Sequence, residues 1–359
     1  LAIAIPFWTA GEGIPRVFAQ SKTTAQDQEA SFGQTTIWAL HLEISAKEFE
    51  AMQPAVAAFG LAAPPPTPVT TDEGRRESEK NLFGTDFPWV KADVSADGAP
   101  LKNVGVRYSG DVTYFVSARG LKRPLKIAFD KFEKQQFNGL SAVQLHAMPL
   151  DPSKAREALA YAVFRSAGTP AQRTAYAEVA LSVPGKYDHE CLGLYTVVED
   201  TDGPFLADRF APGTGLLMRP FRVRGIDFLG DDWQRYQAPY RPQRAATDDE
   251  AKRVIEFARL VNQATDEEFN ERIASFLDVD AFLKFMAANA LTANLESFFA
   301  LGHNYALYLD SRTGKFTFLP GDLEFSLANF LLMGLPEQLM DLSLITPYPG
   351  ENKLPDRLL

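Results

Sequence analysis

Cysteine is nearly absent: Cys191 stands alone among 359 residues. That excludes an internal disulfide framework and any cysteine-rich zinc site. Histidine is scarce, with 4 in the chain, and its members are scattered, so a histidine-built metal cluster is not expected. Positive charge is short as well. Lys and Arg number 36 against 46 Asp and Glu, giving a formal net charge of −10 and a pI near 5.1. A nucleic-acid partner needs a basic face, and this balance argues against one. Beyond the N-terminus no segment offers the roughly 18 uninterrupted apolar residues of a bilayer span, so no membrane span is expected in a mature chain. There is no GxxxxGK[ST] loop, no GxSxG elbow, and no HRD or DFG triplet. P-loop enzymes, α/β-hydrolases and ordinary protein kinases are thereby excluded. His146, His189 and His303 lie in different segments and make no hydrolase site. His303 is expected to pack or hydrogen-bond beside a hairpin, and Cys191 to be a small core residue.

What is present is apolar and aromatic: 46% hydrophobic residues, 12% aromatics and 27 Phe. Such a chain can bury the core of one two-lobed domain or two small ones, and it is not disordered over most of its length. Residues 1–8, LAIAIPFW, followed by Val17, Phe18 and Ala19 before a cleavage point, read as the remnant of a signal peptide over 1–19. Export is the expectation that follows. Residues 20–34 read as a flexible lead-in and 61–71, LAAPPPTPVTT, as a proline-rich loop. The ending PDRLL reads as a cut, so the chain is expected to be a fragment.

The remaining pattern predicts α+β. Residues 35–45 form the first strand, with further strands at 104–108 and 125–129 and a hairpin from 176–183 and 192–199. A helix follows Asp151-Pro152-Ser153, with Ala155, Leu159, Ala160, Val163 and Phe164 on one face and Gly168 as its stop. Thr247 to Glu250 and Thr265 to Glu268 are capping boxes that open two amphipathic helices, and a third runs over about 280–291. The expected division is an N-lobe, mainly β with one helix, over 35–200, and a mainly helical C-lobe over 201–359.

The chemistry concentrates in residues 294–326, NLESFFALGHNYALYLDSRTGKFTFLPGDLEFS. Residues 304–309 and 316–319 read as a hairpin, whose outer ends must meet. Glu296 and Asn304 sit at one end and Asp322 at the other, so two carboxylates and an amide gather at one sheet edge. Phosphoryl transfer needs metal ions bridging phosphate oxygens and a carboxylate that orients the attacking hydroxyl. Hard oxygen donors of this kind suit Mg²⁺ or Mn²⁺. The phosphates also need a cation, for which Lys122 and Lys126 in LKRPLKIAF are candidates, with Glu157 as the carboxylate that orients it. The turn Ser109-Gly110-Asp111 could cover phosphates.

VGVRYSG (104–110), LKRPLKIAF (121–129), DPSKAREALAY (151–161), GLYTVVEDTDGPFL (193–206), GHNYALYL (302–309) and PGDLEFS (320–326) occur in this order. Together they resemble the CotH (spore coat protein H) family from about residue 35 to the end. The resemblance implies an atypical, two-lobed protein-kinase-like fold that transfers the ATP γ-phosphate to Ser or Thr of an exported or surface protein. It implies ATP and Mg²⁺ or Mn²⁺ as cofactors. Glu296 falls at the family's catalytic aspartate and Asp322 at its metal-binding aspartate, with Asn304 and Glu324 completing the metal set. Lys122 and Lys126 match its basic strand positions, and Glu199 falls where the lobes join, near the adenine. The departures are Glu296 and Glu324 for aspartates, Gly321 for a frequent tryptophan, and Gln144-Leu145-His146 in a segment usually rich in asparagine. Two further readings stand beside the kinase. One is a catalytically weak surface, coat or adhesion protein, and the other a nucleotidyl or glutamyl transferase using the same pocket.

Overall fold

The computed structural model describes residues 30–54, 76–330, 332–345, 347 and 350–359. The leader at 1–19, the lead-in up to 29 and the proline-rich loop at 61–71 lie outside the described residues. The first half builds a barrel from β1 (Ile37–Glu43), β4 (Val90–Ala96), β5 (Ala99–Tyr108), β6 (Leu125–Ala128), β7 (Ala142–His146), β8 (Thr174–Val183) and β9 (Tyr187–Glu199). A short pair, β2 (Ser78–Lys80) and β3 (Asp86–Pro88), flanks it. The strand order is β1-β4-β5-β6-β7-β9-β8, and a parallel pairing of β1 with β8 closes the sheet on itself. Closure leaves no long edge with unpaired amides.

The alternation expected of half-buried strands is clear. Trp38, Leu40 and Leu42 of β1 point inward, as do Val90, Ala92, Val94 and Ala96 of β4. The Trp38 indole, inside the barrel, donates to the Ser31 carbonyl at 2.7 Å. Cys191 does not join this core. It is exposed, because β7 pairs with β9 only over Thr196 to Glu199, and β9 residues 188–191 run past it with an open outer face.

Three helices belong to this half: α1 (Ala46–Ala51), α2 (Val112–Ser117) and α3 (Arg156–Ser166). In α3 the buried stripe is Glu157, Ala158, Ala160, Tyr161 and Phe164, and Leu159 is left 43% exposed. The helix turns a different face inward from the one its apolar residues alone suggest. It packs against the helical half, with the Phe164 and Phe285 rings 5.9 Å apart, and so carries a buried carboxylate toward the interior.

The second half holds α4 (Gly203–Phe210), β10 (Leu216–Met218), α5 (Gln234–Tyr240), α6 (Asp248–Gln263), α7 (Asp266–Phe276), α8 (Val279–Leu291), β11 (Tyr305–Leu309), β12 (Phe316–Pro320), α9 (Pro336–Met340) and α10 (Lys353–Asp356). Thr247 and Glu250 form the reciprocal cap that starts α6, and Thr265 accepts from the Glu268 amide to start α7. The three-stranded sheet β10-β11-β12 lies on these helices. Phenylalanines make the seam: Phe257 stacks on Phe316 at 4.7 Å, and Phe318 sits 4.8 Å from Phe282 and 5.1 Å from Phe298. None of the described helices is long and apolar enough to cross a membrane.

Glu199, at the end of β9, is locked where barrel and helices join. It accepts from the Arg173 amide at 3.0 Å and Nε at 3.1 Å, and pairs with Arg209 Nη2 at 2.8 Å. All three side chains are buried or nearly so, so removing the carboxylate strands two guanidinium ions in a poorly hydrated site. Glu199→Ala is expected to lower unfolding free energy by roughly 3–5 kcal/mol in chemical denaturation.

Candidate functional site

The β11–β12 hairpin sets the site. Tyr305 pairs with Pro320, and the Gly321 amide donates to the Asn304 carbonyl at 3.0 Å, so Asn304 and Asp322 emerge side by side. Asn304 has φ 54°, a left-handed conformation that asparagine tolerates better than most residues. The loop before it is pinned from two sides. The Val223 amide donates to the Gly302 carbonyl at 2.9 Å, and the Tyr305 hydroxyl donates to the Val223 carbonyl at 3.0 Å. Gly302 has φ 68°, and a Cβ there would come within 2.7 Å of the Val223 backbone, so only glycine fits.

Asn304 and Asp322 line a cleft of about 250 Å³ between the barrel and the helical half, facing Gln144 and His146 of β7 and Val198 of β9. Negative charge accumulates around Asp322. Asp111 in the Ser109-Gly110-Asp111 turn also lines the cleft. Its carboxyl is pushed up by burial, opposed by a bond from the Leu82 amide, with the charge of Asp322 adding to the rise. Glu296 is buried behind the wall, bonded to His303 Nε2 at 3.3 Å, and its second oxygen has no hydrogen-bond partner. Burial pushes Glu296 up, His303 opposes this, and Asp322 pushes it further up. Glu324 is held well above the usual carboxylate range by burial and by Asp322. The cations facing this charge are Arg219 and Arg241. Arg219 donates to Thr201 Oγ1 at 2.8 Å, and Arg241 lies over the Phe221 ring at 4.3 Å. Among the described residues neither arginine is in an ion pair.

A family model described as CotH kinase protein matches residues 106–358, from the end of β5 through α10, and this span includes the cleft and the hairpin. The chain belongs to the CotH kinase family. It is also similar to the inner spore coat protein H of Bacillus subtilis (strain 168). The two are 24% identical over 206 residues, covering 56% of this chain and 54% of that protein. The chain thus spans about half the length of the curated relative it matches.

In this CotH chain the expected site residues fall into two groups. Glu296, Asn304 and Asp322 come together. Asn304 and Asp322 reach the cleft wall, whereas Glu296 stands behind His303, its carboxylate bonded to His303. The remaining residues take other partners. Lys126 on β6 is spent in a buried ion pair with Asp200 at 2.7 Å, so Asp200, not Glu157, is the carboxylate that orients it. Burial pushes Asp200 up, but Lys126 and Arg219 outweigh it and keep it below its usual range. Glu157 instead accepts from His146 Nδ1 at 2.8 Å, since the inward face of α3 carries it under β7 and out of reach of Lys126. Lys122 lies in the loop before β6 with its ammonium 5.1 Å from the Tyr195 ring centre, outside the cleft, and burial pushes its pKa down. Glu199 is held by Arg173 and Arg209. Glu324 turns toward His146 and Glu157 and away from the cleft wall.

The sequence reading missed Asp200, Arg219, Arg241 and the sharing of one cleft by His146 and His303. A basic run, Arg219-Pro220-Phe221-Arg222, was the available signal for Arg219. Nothing local marks Arg241, which reaches the cleft because its carbonyl and that of Pro239 accept from the Arg219 and Phe221 amides.

Asp202, two residues past Asp200, caps α4 by accepting from the Phe205 amide at 3.2 Å and also accepts from the Ser141 hydroxyl. Burial pushes its carboxyl up to about 6, the Ser141 bond opposing and the charge of Asp200 adding. The folded state therefore holds this proton more tightly than the unfolded chain, whose value is 3.8. Stability from this group is present below pH 4 and is lost as pH rises through about 6. The cost above pH 6 is on the order of 1–3 kcal/mol at this part-exposed position. Asp202→Asn keeps a capping side chain. It is expected to raise the melting temperature at pH 8, with the gain vanishing by pH 4 in thermal scans.

Proposed function

We propose that this chain is an atypical, two-lobed protein kinase of the CotH type, transferring the γ-phosphate of ATP to a Ser or Thr hydroxyl of an exported protein. The observation that carries the reading is the convergence of Glu296, Asn304 and Asp322 at one end of the hairpin, the last two lining a cleft with Arg219 and Arg241, which are in no ion pair among the described residues. Asp322 and Asn304 offer hard oxygen donors in a pocket with excess carboxylate charge, which is a fit for a divalent ion. A bound Mg²⁺ or Mn²⁺ would bridge phosphate oxygens and offset their charge. Arg219 and Arg241, which line the cleft, would hold the phosphates. Val198 and Thr201, on the strand end linking the halves, would border the base. Glu296 would orient the acceptor hydroxyl, and its raised pKa helps it take up a proton.

A second reading is a catalytically weak coat or surface protein, and one observation favours it. Glu296 is one methylene longer than the expected aspartate and sits behind His303, 8% exposed. A displacement of about 1 Å at such a residue costs roughly 10²-fold in rate. A coat-associated location rests on the likeness to a spore coat protein.

Labelled ATP with Mn²⁺ and a candidate acceptor decides between these. Transfer of label to protein is expected, lost at least about 100-fold in Asp322→Ala. A phosphate-sized mass increase on the acceptor separates a kinase from a nucleotidyl or glutamyl transferase. Absence of transfer, with nucleotide still bound, would leave the coat reading in place.

A further inference from the structure

At the inner wall of the cleft, His146 of β7, which lines it, and Glu157 of α3 and Glu324 after β12, which lie behind it, bring one ligand-competent atom each within 4.8 Å of one another, all three residues buried. The Oε2 of Glu157 and the Oε1 of Glu324 have no hydrogen-bond partner, although their residues are only 2% and 6% exposed. An unpaired buried polar atom costs about 1–3 kcal/mol, more when charged. We infer that this trio is a transition-metal site, for which Zn²⁺ is the fitting ion, separate from any cation held by Asp322 and Asn304.

The donor set decides the class of ion. One imidazole nitrogen and two carboxylates suit a borderline first-row ion, whereas Mg²⁺ prefers oxygen ligands and retains its waters. A neutral imidazole and two carboxylates carry two negative charges, which one divalent ion cancels, so the buried assembly becomes neutral. The supporting contacts are in place. Glu157 Oε1 lies 2.8 Å from His146 Nδ1, and Gln144 Oε1 lies 3.4 Å from His146 Nε2. Such outer contacts fix the orientation of metal ligands. A void of about 10 Å³ adjoins the pair, with Glu157, Glu324 and Thr113 in its wall. It is close to the smallest space that holds one water, the ordinary additional ligand of a three-residue site.

The ligands come from three separate elements, so the ion would tie α3 and β7 to the turn that carries Asp322. It would therefore act as a clamp on the neighbouring cleft and take no part in transfer.

The test uses the full chain, stripped with a chelator and dialysed against Zn²⁺ in the presence of millimolar Mg²⁺, with metal per chain read by mass spectrometry. About one retained equivalent is expected in the wild type and in Asp322→Ala, with affinity down at least about 10-fold in His146→Asn and Glu157→Gln. Co²⁺ added to the wild type should give visible absorption from nitrogen and oxygen ligation, a readout that stands even if the variants fail to fold. The inference is overturned if the wild type retains no Zn²⁺ or Co²⁺ gives no such band. It is also overturned if His146→Asn binds as the wild type does, or if Asp322→Ala alone abolishes retention. The last result would put the ion at the cleft.

Discussion

Phe318 and the rings around it hold the hairpin on which the candidate site depends. Its ring lies among Phe282, Phe285, Phe298 and Tyr305, at centroid distances from 4.8 to 5.9 Å. Aromatic packing of this density fixes an element in one position, because interiors tolerate little displacement. With β12 seated, the cross-strand pairing of Tyr305 with Pro320 places Asn304 and Asp322 side by side. The same Tyr305 anchors the Val223 segment, which in turn pins Gly302 ahead of His303. The polar site is a consequence of an apolar seat.

The buried charges of the junction are held in pairs. Glu199 is consumed by two arginines and Lys126 by Asp200. These pairs are buried, so each partner would be costly alone, and they join the barrel strands to the helical half. The cleft itself is lined by Asp111 and Asp322 together with Arg219 and Arg241, which are in no ion pair among the described residues. The mixture matters because clustered carboxylates invite a cation, while guanidinium groups outside ion pairs suit phosphate.

Local features were legible before any coordinates. The threonine caps of α6 and α7, the β8–β9 hairpin and the β11–β12 hairpin follow from spacing and turn chemistry within a few residues. Because a hairpin must bring its ends together, the meeting of Glu296, Asn304 and Asp322 could be deduced as well. The barrel could not. Its closure joins β1 to β8 in parallel across more than a hundred residues, and no local signal states which distant strands pair. The face of α3 was misread for a related reason. Leu159 looks like a core residue until the helix is docked, when Glu157 takes the buried position and Leu159 the solvent.

The sequence alone therefore determined the alternation of the strands, the starts of the helices and the hairpin that collects the acidic residues. Each depends on backbone geometry over one turn or one strand. Only the tertiary structure decided which charge meets which: Lys126 with Asp200, Glu157 with His146, Glu199 with Arg173 and Arg209. Those choices depend on distances of a few ångströms between segments far apart in the chain, and on burial that changes the cost of every unpaired ion. Residue type gives the charge, but the fold gives its partner.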